Sequence, residues 1–124
     1  MPTEPTYVLL IEDDIDIAEA IESVFHLENI RYQSMKDGQS ALDYLNSVDQ
    51  NPSLIIMDVM MPLLNGFEFR KKQLSNIKIA NIPTIAMSAT SDFEKVDAGH
   101  FNEFIKKPID INQFIDLVKK YLRS

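Results

Sequence analysis

The stretch Tyr7-Val8-Leu9-Leu10-Ile11-Glu12-Asp13-Asp14 decides the fold class. Five uncharged, largely apolar residues are followed at once by three acids, without any alternation of apolar and polar positions. Such a continuous run is typical of a strand that is buried on both faces, as in a parallel sheet covered by helices. From Asp14 onward the apolar residues take helical spacing, and acids are favourable at a helix start. We therefore predict a strand at 7–11 that leads directly into a helix.

The alternation of strands and helices continues to the end of the chain. Further strands are predicted at 31–35, 53–57, 83–87 and 103–106, and further helices after Asp37-Gly38, from about Phe67, over 92–98 and over 111–122. Before the last helix, Asp110 and Gln113 form a capping-box pattern. Five strands alternating with five helical segments predict an α/β fold, a doubly wound (βα)5 parallel sheet with helices on both faces. We expect one domain at 7–122 behind a frayed start at 1–6.

The composition restricts the classes of partner. The chain has 124 residues, a formal net charge of -7 and no cysteine. Because nucleic acid and anionic membranes repel an acidic protein, we expect neither as a partner. No apolar run approaches the ~20 residues needed to cross a bilayer, and the first residues lack the features of a secretory signal, so we expect a cytoplasmic protein. The basic run Arg70-Lys71-Lys72 is interpreted as a solvated helix face.

Residues able to do chemistry follow four of the five predicted strands. Glu12 and Asp13 follow the first strand, Asp58 the third, Ser88 the fourth and Lys107 the fifth. In parallel sheets, ligands bind beyond the carboxyl ends of the strands, where the strand order reverses. If the strand order is 2-1-3-4-5, the first and third strands are neighbours, which brings Asp13 and Asp58 close enough to share an ion. Each residue alone fits a turn or a helix start, and their joint occurrence favours a site.

Three carboxylates at one edge of the sheet predict a magnesium site. Without compensation they would repel each other and raise at least one pKa, whereas a divalent cation keeps them ionised. Mg²⁺ is commonly held by one or two carboxylates together with waters and phosphate oxygens. Phosphoryl transfer requires a carboxylate nucleophile, a metal and donors for the remaining charge, so Asp58 is the predicted nucleophile, assisted by Lys107 and Ser88. His26 and His100 are predicted to lie away from this edge and to have no metal or catalytic role.

These residues resemble the receiver domain of bacterial response regulators, which has a CheY-like, flavodoxin-like fold. The resemblance spans about residues 7 to 122. It rests on four segments, namely 10–14 (LIEDD), 58–66 (DVMMPLLNG), Ser88-Ala89 and Lys107-Pro108. The second segment is highly specific, and the full set is more specific still.

The resemblance implies a role for each matching residue. Asp58 would accept a phosphoryl group from a sensor histidine kinase or a histidine phosphotransfer protein. Mg²⁺ would be bound directly by Asp13 and Asp58, with Glu12 helping mainly through water and Met60 contributing its backbone carbonyl.

Further residues would report the phosphorylation. Lys107 would pair with the phosphoryl oxygens, Ser88 would move inward to hydrogen-bond them, and Phe104 would change rotamer. The surface around the fourth and fifth predicted helices would then change for a downstream protein, with a homodimer left open. The Lys107-Pro108 bond is commonly cis in such domains. A receiver catalyses its own phosphorylation and slow dephosphorylation, so we do not expect a turnover enzyme.

One feature departs from the family pattern. Ser88 and Lys107 are 19 positions apart, which is shorter than the family pattern by about one helical turn of ~3.6 residues. We therefore predict a shortened fourth helix, which puts the usual interaction face in doubt. Phe93 and Phe101 flank this region and are interpreted as core residues, with an exposed docking patch as the alternative.

Other functions fit the residues less well. A receiver-like module that binds proteins without being phosphorylated remains an alternative because of the short fourth helix. A haloacid-dehalogenase-like phosphatase would need Asp14 as nucleophile, in a pattern whose fourth residue is wrong. Flavin binding lacks a Gly-, Ser- or Thr-rich phosphate loop after the first strand.

Overall fold

Five parallel strands form one sheet in the order β2-β1-β3-β4-β5 in the computed structural model, which describes residues 6–60, 64–89 and 101–123. The strands are β1 (Val8–Ile11), β2 (Tyr32–Met35), β3 (Leu54–Asp58), β4 (Thr84–Ala89) and β5 (Glu103–Lys107). The described helices are α1 (Ile15–Leu27), α2 (Gly38–Ser47), α3 (Gly66–Leu74) and α4 (Ile111–Leu122). The predicted α/β class and strand order are confirmed, with most boundaries displaced by one residue.

Some predictions fall on residues that lie outside the described ranges. They concern the helix at 92–98 and its shortening, the side chains of Phe93 and His100, and the frayed start apart from Thr6. The label α4 therefore denotes the C-terminal helix, which the sequence predicted as the fifth helical segment.

The central strands are buried on both faces, which explains their continuous apolar sequences. Every residue of β1 is fully buried, and so are Leu54 to Met57 of β3. Leu9 and Ile55 pair across the two strands and belong to one core cluster, whereas Leu10 and Ile56 belong to the cluster on the opposite face. Because strand side chains alternate between faces, each strand contributes to both clusters, and helices must cover both.

Polar side chains cap the described helices, and for Asp14 and Asp110 the sequence had predicted the helix start. The Asp14 carboxylate accepts a hydrogen bond from the Ile17 N–H, and the Asp110 carboxylate accepts one from the Gln113 N–H. A complete capping box stands at the start of α3, where Asn65 and Glu68 each accept from the other's backbone N–H. These bonds satisfy N–H groups that the first helical turn leaves without a partner.

The interpretation of Arg70-Lys71-Lys72 as a solvated face was wrong for Arg70. Lys71 and Lys72 are exposed, but Arg70 is buried and hydrogen-bonds to neighbouring polar side chains. Helical geometry explains the difference, because adjacent residues point about 100° apart and a run of three cannot share one face. Phe101 is also buried, in the core cluster on the α3 side of the sheet, which confirms the core interpretation for this residue.

The Lys107-Pro108 peptide bond is cis, as the family resemblance implied. Among the described helices, none combines the length and the apolar character needed to span a membrane.

Candidate functional site

The candidate site lies at the carboxyl edge of the sheet, where three strands deliver charged side chains. Ile11 of β1 pairs with Met57 of β3, so the residues that follow them, Glu12 and Asp58, emerge side by side. The last residue of β5 is Lys107, which pairs with Ala89 at the end of β4. Parallel strands end at the same edge, so acids and an amine that are distant in sequence converge here.

Three carboxylates form one cluster. Glu12, Asp13 and Asp58 each offer an oxygen, and these oxygens lie within 4.8 Å of one another. Glu12 and Asp58 are buried, whereas Asp13 is exposed. The cluster therefore has a buried base and one side open to solvent.

Lys107 is the cation of the site. Its Nζ lies 2.5 Å from Asp58 Oδ2 and 3.6 Å from Glu12 Oε1. The other carboxylate oxygen of Asp58, Oδ1, accepts a hydrogen bond from the Met60 N–H at 2.9 Å. Asp58 is thus held by one charged and one neutral donor, which fixes its carboxylate plane.

The charges of the site perturb Glu12 and Lys107. Burial and the nearby charge of Asp58 raise the pKa of Glu12 to about 7, although Lys107 and the Asp14 N–H act in the opposite direction. Burial alone would lower the pKa of Lys107, but its hydrogen bond to Asp58 and the charges of Glu12 and Asp58 outweigh burial and raise it. One ammonium therefore does not fully compensate the buried carboxylates.

Glu12 supplies a direct test of whether a metal fits. Its Oε2 accepts a hydrogen bond from the Asp14 N–H at 3.2 Å, but its Oε1 is buried and has no hydrogen-bond partner among the described residues. A buried carboxylate oxygen without a hydrogen bond is unfavourable, and a divalent cation or its bound water would satisfy it. The oxygen-only donor set of Glu12, Asp13 and Asp58 suits Mg²⁺.

Ser88 and Phe104 lie close to this edge but contact other groups. Asp58 pairs with Met87, so Ser88 is the next residue of the neighbouring strand. Its side chain is buried, and its hydroxyl donates to the Ala89 carbonyl at 3.2 Å. Phe104 lies three residues before Lys107 and is half-buried against the core cluster on the α3 side.

Two further sequence predictions concern residues around the site. Met60 is exposed, and the contact that the structure shows for it is made by its N–H rather than by the carbonyl that the family resemblance implied. His26 is exposed on α1, which agrees with its prediction as a residue away from the site.

Gly66 supports the site in a way that sequence reasoning missed. Its N–H donates to the Val59 carbonyl at 2.9 Å, and a Cβ atom built on Gly66 would lie 2.6 Å from the Val59 Cα. No side chain fits at this distance without a backbone shift next to Asp58. In sequence, the pair Asn65-Gly66 is typical of a loop before a helix, but a close approach of two backbones leaves no local signal.

Proteins with known names align with nearly the entire chain. The polar-differentiation response regulator DivK of Brucella anthropi is 28% identical over 121 residues, which cover 95% of this chain and 97% of that protein. The transcriptional regulatory protein CpxR homolog of Haemophilus influenzae is 31% identical over 120 residues, which cover 94% of this chain but 50% of the relative. The chain thus spans about half the length of this second protein.

Solved structures share the fold. The receiver domain of a Francisella response regulator has a TM-score of 0.83 at 29% identity, with 97% of this chain and 98% of that chain covered. The receiver domain of a sensor histidine kinase from Pseudomonas aeruginosa, with a magnesium ion coordinated in its active site cleft, has a TM-score of 0.83 at 21% identity, covering 98% and 100%. The second likeness concerns the fold alone.

A family model identifies the chain more directly than any single relative. The model of the response regulator receiver domain matches residues 8–119. This match includes all five strands and every residue of the charged cluster. The chain therefore belongs to the response regulator receiver domain family of two-component signalling, which is consistent with phosphoryl acceptance.

Proposed function

We propose that Asp58 accepts a phosphoryl group, in the cytoplasm, from a phosphohistidine on a sensor histidine kinase or a histidine phosphotransfer protein. The observation that carries this proposal is the setting of one buried carboxylate. Lys107 Nζ lies 2.5 Å from Asp58 Oδ2, and carboxylate oxygens of Glu12 and Asp13 lie within 4.8 Å. A nucleophile between a cation and a metal-binding pair of acids is suited to phosphoryl transfer.

The transfer exchanges one bond to phosphorus for another. A carboxylate oxygen of Asp58 attacks the phosphorus atom, and a P–O bond forms as the P–N bond to the donor imidazole breaks. The electron pair of the broken bond stays on the imidazole nitrogen, which takes a proton from solvent. The products are an aspartyl phosphate and a neutral histidine.

Lys107 and the Met60 N–H position the nucleophile and stabilise charge. Both already hydrogen-bond the Asp58 carboxylate, one to each oxygen. The ammonium favours the ionised carboxylate before attack and can pair with a phosphoryl oxygen afterwards. Little reorganisation is then needed during the reaction, because the donors are in place beforehand.

The residues that would hold Mg²⁺ are Glu12, Asp13 and Asp58, with the Met60 carbonyl as the further oxygen that the family resemblance implies. When bound, the ion supplies positive charge that offsets the three carboxylates and the phosphoryl oxygens. The buried Glu12 Oε1 atom, which has no hydrogen-bond partner in the described structure, supports this assignment.

Phosphorylation then changes the surface of the domain. An aspartyl phosphate adds negative charge and strong acceptors, and the Ser88 hydroxyl exchanges its bond to the Ala89 carbonyl for one to a phosphoryl oxygen. Phe104 changes rotamer in response, which alters the surface around β5 and α4, and we expect the change to extend to the fourth predicted helix. A downstream protein or a second copy of the chain recognises the altered surface. The chain is modified and slowly dephosphorylated, and it does not act as a turnover enzyme.

Intact-protein and peptide mass spectrometry test the proposal. The protein is incubated with Mg²⁺ and a small phosphodonor, and the added mass is located along the chain. We expect one phosphoryl group on Asp58, and none in Asp58→Asn, which retains the shape of the side chain but not its charge. Unchanged phosphorylation of Asp58→Asn would sink the proposal. The absence of any phosphorylation of the wild-type protein would favour a binding module that acts unphosphorylated.

A further inference from the structure

We propose that Arg70 is a positioning residue for Phe104. Its guanidinium group fixes the ring of Phe101, on which Phe104 packs, and so sets the balance between the two Phe104 rotamers. This inference rests on the proposed function, in which Phe104 responds to phosphorylation of Asp58.

Arg70 is fixed by neutral acceptors from three parts of the chain. Its Nη1 donates to Gln73 Oε1 at 2.9 Å and to Thr84 Oγ1 at 3.0 Å, and its Nη2 donates to Asn102 Oδ1 at 3.3 Å. The residue is buried, and burial lowers the pKa of its guanidinium. A buried guanidinium needs such bonds, and three acceptors that converge from α3, β4 and the start of β5 hold its plane in one orientation.

The backbone next to Phe101 is held by the same network. Asn102 Oδ1 accepts from the Thr84 N–H at 2.8 Å, and the Asn102 N–H donates to the Thr84 carbonyl at 3.0 Å. The residue after Phe101 is therefore tied to the first residue of β4 by two bonds, one through its side chain and one through its backbone. Phe101, which lies two residues before β5, cannot shift along the chain without breaking these bonds.

The Phe101 ring contacts two residues of α3 and also Phe104 of β5. The Arg70 guanidinium carbon lies 5.8 Å from the ring centroid, and the Phe67 ring packs edge-on at 6.1 Å. Phe104 packs on the same ring, with centroids 5.4 Å apart and planes at 71°. Phe101 is 6% exposed, whereas Phe104 is half-buried. The inner ring is thus a platform held from α3, and the outer ring is the more exposed of the two.

A rotamer change of Phe104 must break its edge-to-face pair with Phe101. The strength of that pair depends on how firmly Phe101 is held, and Arg70 supplies both a cation above the ring and the bonds that fix its neighbour. Weakening the platform should change the rotamer ratio of Phe104 about two- to tenfold, the range expected for one aromatic pair. The same helix, α3, begins shortly after Asp58, so this contact joins the phosphorylated segment to the responding aromatic residue.

The test compares two substitutions, each of which replaces a cationic side chain by methionine, at adjacent positions of α3. Arg70→Met removes the buried guanidinium, and Lys71→Met removes an exposed cation from the same helix. Phe101→Leu removes the platform ring while keeping an apolar side chain. Nuclear magnetic resonance of ¹³C-labelled phenylalanine, with the Phe104 signals assigned through Phe104→Leu, gives the rotamer ratio. Spectra are taken with and without beryllofluoride, an analogue of the phosphoryl group, and urea unfolding gives the stability of each variant.

We expect Arg70→Met and Phe101→Leu to move the Phe104 ratio of the unmodified protein toward that of the beryllofluoride-bound protein, and Lys71→Met to leave it unchanged. If Arg70→Met lowers stability while the ratio stays at the wild-type value, Arg70 is merely structural and the inference is wrong. If Arg70→Met does not fold, Phe101→Leu decides, and an unchanged ratio again overturns the inference. The Phe104 rotamer ratio of the unmodified protein is measured without any phosphorylation. Failure of the proposed function would instead appear in the mass spectrometry experiment, so the two failures can be distinguished.

Discussion

At Asp58, attraction and repulsion act on the same carboxylate. Lys107 lies within hydrogen-bonding distance of it, while Glu12 is buried nearby and has its pKa raised to about 7. The site thus has more negative charge than one ammonium offsets. In the proposed function this imbalance favours a bound cation and supports Asp58 as the nucleophile, whereas an ordinary turn aspartate would be solvated and paired only with backbone donors.

Removing the amine of Lys107 should slow phosphorylation, whereas removing that of its neighbour Lys106 should not. We expect Lys107→Met to slow phosphorylation of Asp58 about 10²-fold, because one pre-placed donor to the developing charge is lost. The exposed Lys106 is its neighbour, and Lys106→Met is the matched control. The rate of mass increase with a small phosphodonor and Mg²⁺ measures both. Equal rates for the two variants would refute a role for Lys107 in the transfer.

At the scale of elements, the helix starts hold the site as much as the strands do. Asp14 caps α1 two residues after Glu12, and Asn65 caps α3 shortly after Asp58. The N-cap of α2, Asp37, lies two residues after β2. The turns that follow β1 and β2 are therefore short and hydrogen-bonded, which limits the movement of the residues after these two strands.

The cap of α2 gives a prediction with a pH dependence. The Ser40 N–H donates to the Asp37 carboxylate at 2.7 Å, and this bond lowers the pKa of Asp37. We expect Asp37→Ala to reduce the free energy of unfolding by about 1 kcal/mol at neutral pH, and Asp37→Asn to reduce it less, since asparagine also caps helices.

The sign of the pH effect follows from the lowered pKa. A carboxyl group whose pKa is lower in the folded state stabilises the protein above its unfolded pKa, and this contribution is lost as the pH falls through the folded value. The difference between wild-type protein and Asp37→Asn should therefore shrink below about pH 4. Urea unfolding at several pH values measures it, and a difference that grows toward acid pH would contradict the assignment.

On the scale of the whole molecule, two core clusters stabilise a sheet whose edge holds unbalanced charge. The clusters lie on opposite faces, and both include residues of β1, which Glu12 follows directly, and of β3, which ends at Asp58. A well-packed sheet keeps these acids together even though they repel each other. Binding of a cation should therefore stabilise the entire domain.

Mg²⁺ should raise the thermal stability of the protein. A ligand that binds only the folded state at ten times its dissociation constant adds about 1.4 kcal/mol, which corresponds to roughly 4–7 °C in a domain of this size. Differential scanning calorimetry with and without MgCl₂ measures the shift. Asp13→Asn, which changes an exposed member of the cluster, should show a much smaller one. Equal shifts in both proteins would place the ion elsewhere.

The sequence pattern by itself determined the strands and the residues at the charged edge of the sheet. The strand order followed from the family resemblance of the sequence. Continuous apolar runs such as Leu54 to Met57, without alternating polar positions, indicate strands that are buried on both faces. The acids of the site follow such runs directly, so they can be found from the sequence. Asp58, Glu12 and Lys107 could be predicted to meet because the topology of a parallel sheet leaves their strands one common edge. The roles assigned to these residues stay predictions.

Only the tertiary structure decided features that depend on contacts between distant residues. Arg70 is buried because Thr84 and Asn102 offer acceptors from other elements, although its neighbours in sequence are exposed lysines. The raised pKa of Glu12 arises from burial and from Asp58 on another strand, and Gly66 must lack a side chain because Val59 lies against it. Such properties depend on distances of a few ångströms between chain segments, and local periodicity contains no information about them.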